Sequence, residues 1–191
     1  MKIGVVVEGA SEKKFLDRVL HKYNPNVQFD VRIMKGRNKL IQSSVSMMQQ
    51  FYSARYQRGF FITDLDDNEC PLQIIHEFPD EVRENALKPK AIRFVTICVA
   101  MRDLEGWLLA DQEAIRSVLP QCEYIAPSDT SNLNTGKLLT KLWNSEHPNT
   151  ALNKISFAAS MSYNFDPARA AVNSPSFEYF WKRLRSCISN C

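Results

Sequence analysis

The chain has 191 residues, 45% of them hydrophobic, which is enough for a substantial core in one domain or one domain with an appendage. Its net charge of +3 does not announce a nucleic-acid binder, and it does not exclude one with a local basic surface. The five cysteines, Cys70, Cys98, Cys122, Cys187 and Cys191, are odd in number and lack CxxC spacing, which argues against a disulfide framework or zinc knuckle and for reduced thiols in a cytoplasmic protein.

The chain enters a strand at once, without the cationic and apolar segments of a leader, and no run approaches the ~20 apolar residues of a membrane span. "KIGVVV" is a short β-branched run ending at Glu8-Gly9 and suits a strand buried on both faces. Ser11 is placed to N-cap a helix running to about Tyr23, with Phe15, Leu16, Val19 and Leu20 on one side. "VQFDVRIM" alternates polar and apolar residues and reads as a second strand, followed by a helix over "KLIQSSVSMMQQFYSARY". "GFFIT" is a third strand, stopped by "DLDDNEC". "PLQIIHEFPDEV" reads as helix with a break near Pro79, and "IRFVTICVA" as a fourth strand. From Asp103 onward the pattern is helical: "DLEGWLLADQEAIRSVL", then "KLLTKLWNSE" after a polar loop, then "SPSFEYFWKRLRSCI" with Ser174 as N-cap and Pro175 at N1.

The alternation predicts an α/β fold: a mostly parallel sheet of at least four strands with helices on both faces, plus C-terminal helices. The reading is one domain over 1–191, with an alternating β/α core over 1–102 and a helical part over 103–191 packed on it.

Carboxylates stand where such sheets bind ligands, outside the carboxyl ends of the strands. Glu8 ends the first strand, and Asp64, Asp66 and Asp67 follow the third. If those strands are neighbours, four carboxylates converge, and a divalent cation with oxygen ligands relieves their repulsion. Gly9 is expected to let the chain turn sharply and a ligand come close. Acidic residues after strands are equally caps and turn residues, which fits "DLDD" taken alone. For Glu8 that reading is harder, because a glutamate after three valines has poor strand propensity and risks burial without a partner. Glu12 reads first as a first-turn residue favoured by the helix dipole, with support of the site as the alternative.

"VVVEGASE" followed by "FFITDLDD" resembles the TOPRIM domain, whose signature is a glutamate after the first strand, usually within an EG dipeptide, and a DxD pair after the third. TOPRIM domains occur in topoisomerases, bacterial primases and the overcoming-lysogenization-defect nucleases. "VEGASE", "GRNKL", "DLDDNECP", "LEGWLLAD" and "SPSFEYF" resemble more closely an uncharacterised bacterial TOPRIM-like family, often encoded beside AAA-type or SMC-like ATPases in suspected anti-phage systems. The resemblance covers nearly the whole chain. In the last motif the family expects cysteine where this chain has Ser174, which weakens any role for a thiol there.

The resemblance implies that Glu8 is a general acid/base or metal ligand, that Asp64 and Asp66 are the metal-binding pair, and that Asp67 extends it through water. It also implies that Glu105 contributes to a second metal site, giving one or two Mg²⁺ or Mn²⁺ ions. Two-metal phosphodiester cleavage uses ions about 3.5–4 Å apart. Lys137, at a helix start after "NTG", reads either as the cation that neutralises a scissile phosphate or as a surface lysine. Gly136-Lys137 is not a P-loop. Asp111 reads as an N-cap or as support for the site, and Ser176 as a phosphate contact or a capping-region residue. Arg32, Lys35, Arg37 and Lys39 in "RIMKGRNK" lie at the end of the second strand, on the carboxylate edge, and suit phosphate-backbone contacts.

Two functions follow. One is a metal-dependent nuclease acting on DNA or RNA, tRNA included, as the effector of an anti-phage system with an AAA/SMC-like ATPase partner. The other is a catalytically silent TOPRIM-like subunit held or regulated by that ATPase. A Rossmann-type nucleotide-binding domain is a third reading, opposed by the absence of GxGxxG.

Overall fold

The computed structural model describes residues 1–68, 70–89 and 93–189. Four strands form the sheet: β1 (Lys2–Val7), β2 (Gln28–Ile33), β3 (Arg58–Asp64) and β4 (Val95–Ala100). All neighbours pair in parallel, in the order β2-β1-β3-β4. Between them run α1 (Ala10–Tyr23), α2 (Arg37–Ser53), and the pair α3 (Pro71–Glu77) and α4 (Asp80–Leu87), separated at Pro79. Six more helices follow: α5 (Leu104–Leu109), α6 (Gln112–Val118), α7 (Thr135–Glu146), α8 (Lys154–Asn164), α9 (Pro167–Asn173) and α10 (Pro175–Ile188). The expected architecture is therefore the one observed, and its sheet is wholly parallel.

The period of two along β1 explains the two layers. Ile3, Val5 and Val7 face a core shared with α1 and the C-terminal helices, including Trp107, Phe157, Phe177 and Phe180. Val6 faces a smaller core with Leu40 and Phe51 of α2, Ile74 of α3 and Val82 of α4. Gly4 lies against Phe51 so closely that a Cβ there would come within 2.4 Å of the ring. Among the described residues no helix is long and apolar enough to cross a membrane.

Several local expectations change. Ser11 does not cap α1: the helix begins at Ala10, Gly9 is its N-cap, and the Ser11 hydroxyl donates to Glu12 Oε2 at 3.1 Å. Gly9 is extended, with φ −136°, so no left-handed turn requires a glycine there. A Cβ would instead press on Glu12 Oε2 at 2.9 Å. The second helix starts at Arg37 and ends at Ser53, and Tyr56 lies in the turn beyond it, donating to Asp30. The helix expected from Asp103 is cut in two at Asp111. No element was assigned to the stretch that forms α8 and α9. Ile92, expected to open the fourth strand, and Cys191 lie outside the described residues.

Candidate active site

Because β1 and β3 are adjacent and parallel, their carboxyl ends open on one edge. Glu8 follows β1 directly. Its Oε1 accepts from Thr63 Oγ1 at 2.5 Å and from the Asp64 amide at 3.0 Å. Its backbone carbonyl accepts from Gly36 N at 3.0 Å, tying the β2–α2 turn to the same edge. Gly36 has φ +112°, a left-handed-side geometry that favours glycine.

Asp64 ends β3 and is the centre of the cluster. Burial, then the charges of Glu12, Glu8, Asp103 and Glu105, push its pKa well above the usual carboxylate range. Glu12, one turn into α1, is also raised, by burial and then by Glu8 and Glu105, against the hydrogen bond from Ser11. Asp103, after β4, is raised by burial and by Glu105, although the Thr135 hydroxyl donates to its Oδ2 at 2.7 Å. Asp103 Oδ1 is buried with no hydrogen-bond partner among the described residues. Glu105, in the first turn of α5, is buried and pairs with Lys154 Nζ at 2.5 Å. Desolvation opposes the charge on Lys154, but the hydrogen bond it donates to Glu105 and the charges of Glu105, Asp103 and Asp64 raise its pKa. Five carboxylates thus share one strand-end edge, and one ammonium enters it.

The donors are all oxygens, and burial plus mutual repulsion disfavour their ionised forms, a balance that a hard divalent cation reverses. No three His, Cys, Asp or Glu side chains among the described residues already stand together as a ready ligand group.

The family described as "Domain of unknown function (DUF4276)" matches residues 7–185. The chain belongs to the DUF4276 family. Among solved structures the DUF4276 chain is similar to the C-terminal region of the Burkholderia pseudomallei OLD protein, at 15% identity and a TM-score of 0.49, covering 94% of this chain and 96% of that one. A search of curated proteins finds no match.

The structure does not bring every expected site residue of the DUF4276 chain together. The DxD pair splits. Asp64 turns inward, whereas Asp66, at φ +50°, pairs with Arg37 at 3.3 Å. Asp67 is exposed and lies 3.8 Å from Arg102. Lys35, Arg37 and Lys39 line a cleft of about 380 Å³ with Glu8 and Asp66. Arg32 does not join them: it pairs with Asp30 at 2.7 Å, donates to Gln50 and covers the Phe51 ring. A second cleft, of about 240 Å³, lies between Asp66, Asp67, Arg102 and Asp103 on one side and Asn134, Thr135 and Gly136 on the other. Lys137 is exposed beside it and does not line it. Asp111 is fully buried away from the cluster: it caps α6 through Ala114 N and holds Arg169 Nε at 2.7 Å. The Ser176 hydroxyl is occupied by the Met101 amide and Trp107 Nε1, at 3.2 and 2.9 Å.

Sequence reasoning passed over Asp103, Lys154 and Thr63 and undervalued Glu12. Asp103 follows a strand as Glu8 does, so the strand-end rule extended to β4 finds it. Glu12 stands in the first turn of α1, the helix that starts two residues after Glu8, so the chain that brings Glu8 to the edge brings Glu12 there too.

Proposed function

We propose that this protein is a Mg²⁺- or Mn²⁺-dependent nuclease of TOPRIM type that hydrolyses phosphodiester bonds of DNA or RNA, tRNA included. The observation that supports the reading is that Glu8, directly after β1, is bonded to the Thr63 hydroxyl and the Asp64 amide at the end of the adjacent parallel β3, with Glu12, Asp103 and Glu105 near enough for their charges to raise the Asp64 pKa. Glu8, Glu12 and Asp64 would hold the ion. A divalent cation there would supply a Lewis acid and lower the pKa of a bound water.

The chain's own residues do the rest. Thr63 and the Asp64 amide fix one oxygen of Glu8 and so its orientation at the edge. Lys35, Arg37 and Lys39 face substrate phosphates from one cleft, and Arg102 with the start of α7 from the other. The sequence resemblance supports an ATPase partner and a place in anti-phage defence.

A second reading, the catalytically silent subunit held by an ATPase, is favoured by two observations: Glu105 is already neutralised by Lys154, and no ready three-ligand group stands among the described residues. The deciding experiment incubates the protein with labelled duplex DNA, single-stranded DNA, total RNA and tRNA, with Mg²⁺, Mn²⁺ or chelator, alone and with the neighbouring ATPase. Metal-dependent cleavage lost in Glu8→Gln is expected. Mn²⁺ binding without cleavage of any substrate, partner present, would favour the silent subunit.

A further inference from the structure

We propose that Arg37 is the seat for a phosphate group of a nucleic-acid strand, and that the Asp66 carboxylate occupies that seat in the free protein. This rests on the nucleic-acid reading of the cleft between the β2–α2 turn and the β3 loop, and adds the regulation of that cleft.

The Arg37–Asp66 pair is loosely made. Arg37 Nη1 lies 3.3 Å from Asp66 Oδ2 and 3.4 Å from the Asp64 carbonyl, against about 2.7–2.9 Å for a well-formed hydrogen bond between charged groups. Arg37 Nε is buried and has no hydrogen-bond partner among the described residues. Arg32, one strand end away, shows a satisfied guanidinium: its Nε and Nη2 reach Asp30 Oδ2 at 2.8 and 2.7 Å, and its Nη1 donates to Gln50 at 3.0 Å. The donors of Arg37 are therefore underused by the anion it has.

The surroundings favour a larger anion. Lys35 and Lys39 are exposed and line the same cleft of about 380 Å³, with Gly36, Asn38 and the acids Glu8 and Asp66. Neither lysine forms an ion pair among the described residues. Arg37 and Lys39 are the first and third residues of α2, where the helix dipole disfavours positive charge and no acid stands in the first turn. Helix stability thus does not explain these cations. A phosphate offers several oxygens, enough for the guanidinium fork and for lysines beside it. Asp66 can give way by rotating its side chain, which is 53% exposed and lines the second cleft as well. Its backbone stays tied through the bond from its amide to Arg102 O at 2.7 Å.

The test is fluorescence anisotropy of the full chain in chelator at fixed low salt, with a labelled single-stranded oligonucleotide ending in a phosphate or in a hydroxyl. Asp66→Asn is expected to bind about fivefold tighter than wild type. Asp17→Asn removes the same charge from a pair with Lys13 outside the cleft, and should stay within about twofold of wild type. In an Arg37→Gln background, shown folded by a thermal melt, the gain from Asp66→Asn should vanish. A gain limited to the phosphate-ended strand identifies a terminal phosphate as the ligand, and a gain with both strands a backbone phosphate. Equal tightening in Asp66→Asn and Asp17→Asn would reduce the effect to net charge and overturn the inference, whether or not Arg37→Gln folds. Unchanged or weaker binding by Asp66→Asn, or a gain that survives Arg37→Gln, would overturn it too. No binding by any of these proteins would overturn both the inference and the nucleic-acid reading of the cleft. The expected gain without metal-dependent cleavage would uphold the inference and remove the nuclease reading alone.

Discussion

Replacing Glu8 by glutamine separates chemistry from architecture, because the structure lets the effect on stability be worked out. Glutamine keeps the shape and one carbonyl oxygen, so both donors, the Thr63 hydroxyl and the Asp64 amide, retain an acceptor. Hydrogen bonds to a charged group contribute about 1.5–3 kcal/mol and neutral ones about 0.5–1.5, so neutralising the acceptor of two bonds costs roughly 2 kcal/mol. Against this, Glu12 loses a like-charged neighbour. A like-charge pair several ångströms apart at an effective dielectric of about 20 costs on the order of 2 kcal/mol. The opposing effects nearly cancel. In a chain of this size about 1 kcal/mol moves Tm by about 2–4 °C, so a melt in chelator should place Glu8→Gln within about 5 °C of wild type, tilted towards a gain. Cleavage, assayed with Mn²⁺ and the ATPase partner, should fall by on the order of 10²-fold or more, as for a lost acid/base group. Full activity would make Glu8 a turn residue that ties β1 to β3. Inactivity together with a Tm lowered by more than about 10 °C would refute the balance just worked and return Glu8 to a structural role.

Burial and neighbouring carboxylates raise Asp64, so the folded chain keeps a proton that the unfolded chain releases near pH 4. That contribution to stability is complete below about pH 4 and is lost as pH rises through the folded value, so in chelator Asp64→Asn should gain Tm relative to wild type as pH rises above about 4. A Tm difference independent of pH would remove charge repulsion from the account. The double variant Lys35→Ala, Lys39→Ala should weaken binding to a labelled oligonucleotide, and the slope of log affinity against log salt should shrink by about 0.7–0.9 per lost phosphate contact. An unchanged slope in fluorescence anisotropy would mean that the loop is only solvated. Asp111→Ala removes a helix cap and the partner of Arg169, a residue exposed enough to be rehydrated. Urea unfolding should therefore show a loss of about 2–3 kcal/mol, below that of a fully buried pair, with Mn²⁺ stoichiometry unchanged in the folded protein.

The parallel sheet was legible because its strands are short, β-branched and flanked by amphipathic helices, and because β1 is buried on both faces, which erases alternation and leaves an apolar run. α8 was not legible for a related reason. Its buried positions are Phe157, Ala158, Met161 and Ser162, a face mixing large, small and polar residues, so the contrast that marks a helix is weak. Packing against α1 decides its place instead, and that packing depends on residues more than a hundred positions away. The cap of α1 failed differently. Ser11 has the right chemistry for an N-cap, but Gly9 already supplies the extended backbone and the carbonyl that closes the first turn with Lys13 N.

The site was half legible, and the division follows the range of each interaction. A carboxylate at a strand end is a local signal, and Glu8 and Asp64 carry it. What those carboxylates meet is set by how three loops cross the sheet edge, which no local pattern states. Each loop holds a residue with positive φ: Lys35 at +59° beside Gly36 after β2, Asp66 at +50° after β3, and Arg102 at +67° after β4. The remaining non-glycine case among the described residues, Arg55 at +59°, closes α2, where a left-handed residue is ordinary. Left-handed backbone at non-glycine residues costs on the order of 1 kcal/mol each and persists where its surroundings hold it. Here Gly36 N donates to Glu8 O, and Asp66 N to Arg102 O at 2.7 Å, so the loops fix one another. A core does not require strained loops, or five acids crowded at a strand-end edge. Both unfavourable features lie at the carboxyl edge of the sheet, where parallel sheets bind their ligands. The fold tolerates both there, and among the described residues one ion pair, Lys154 with Glu105, offsets the charge of the inner acids.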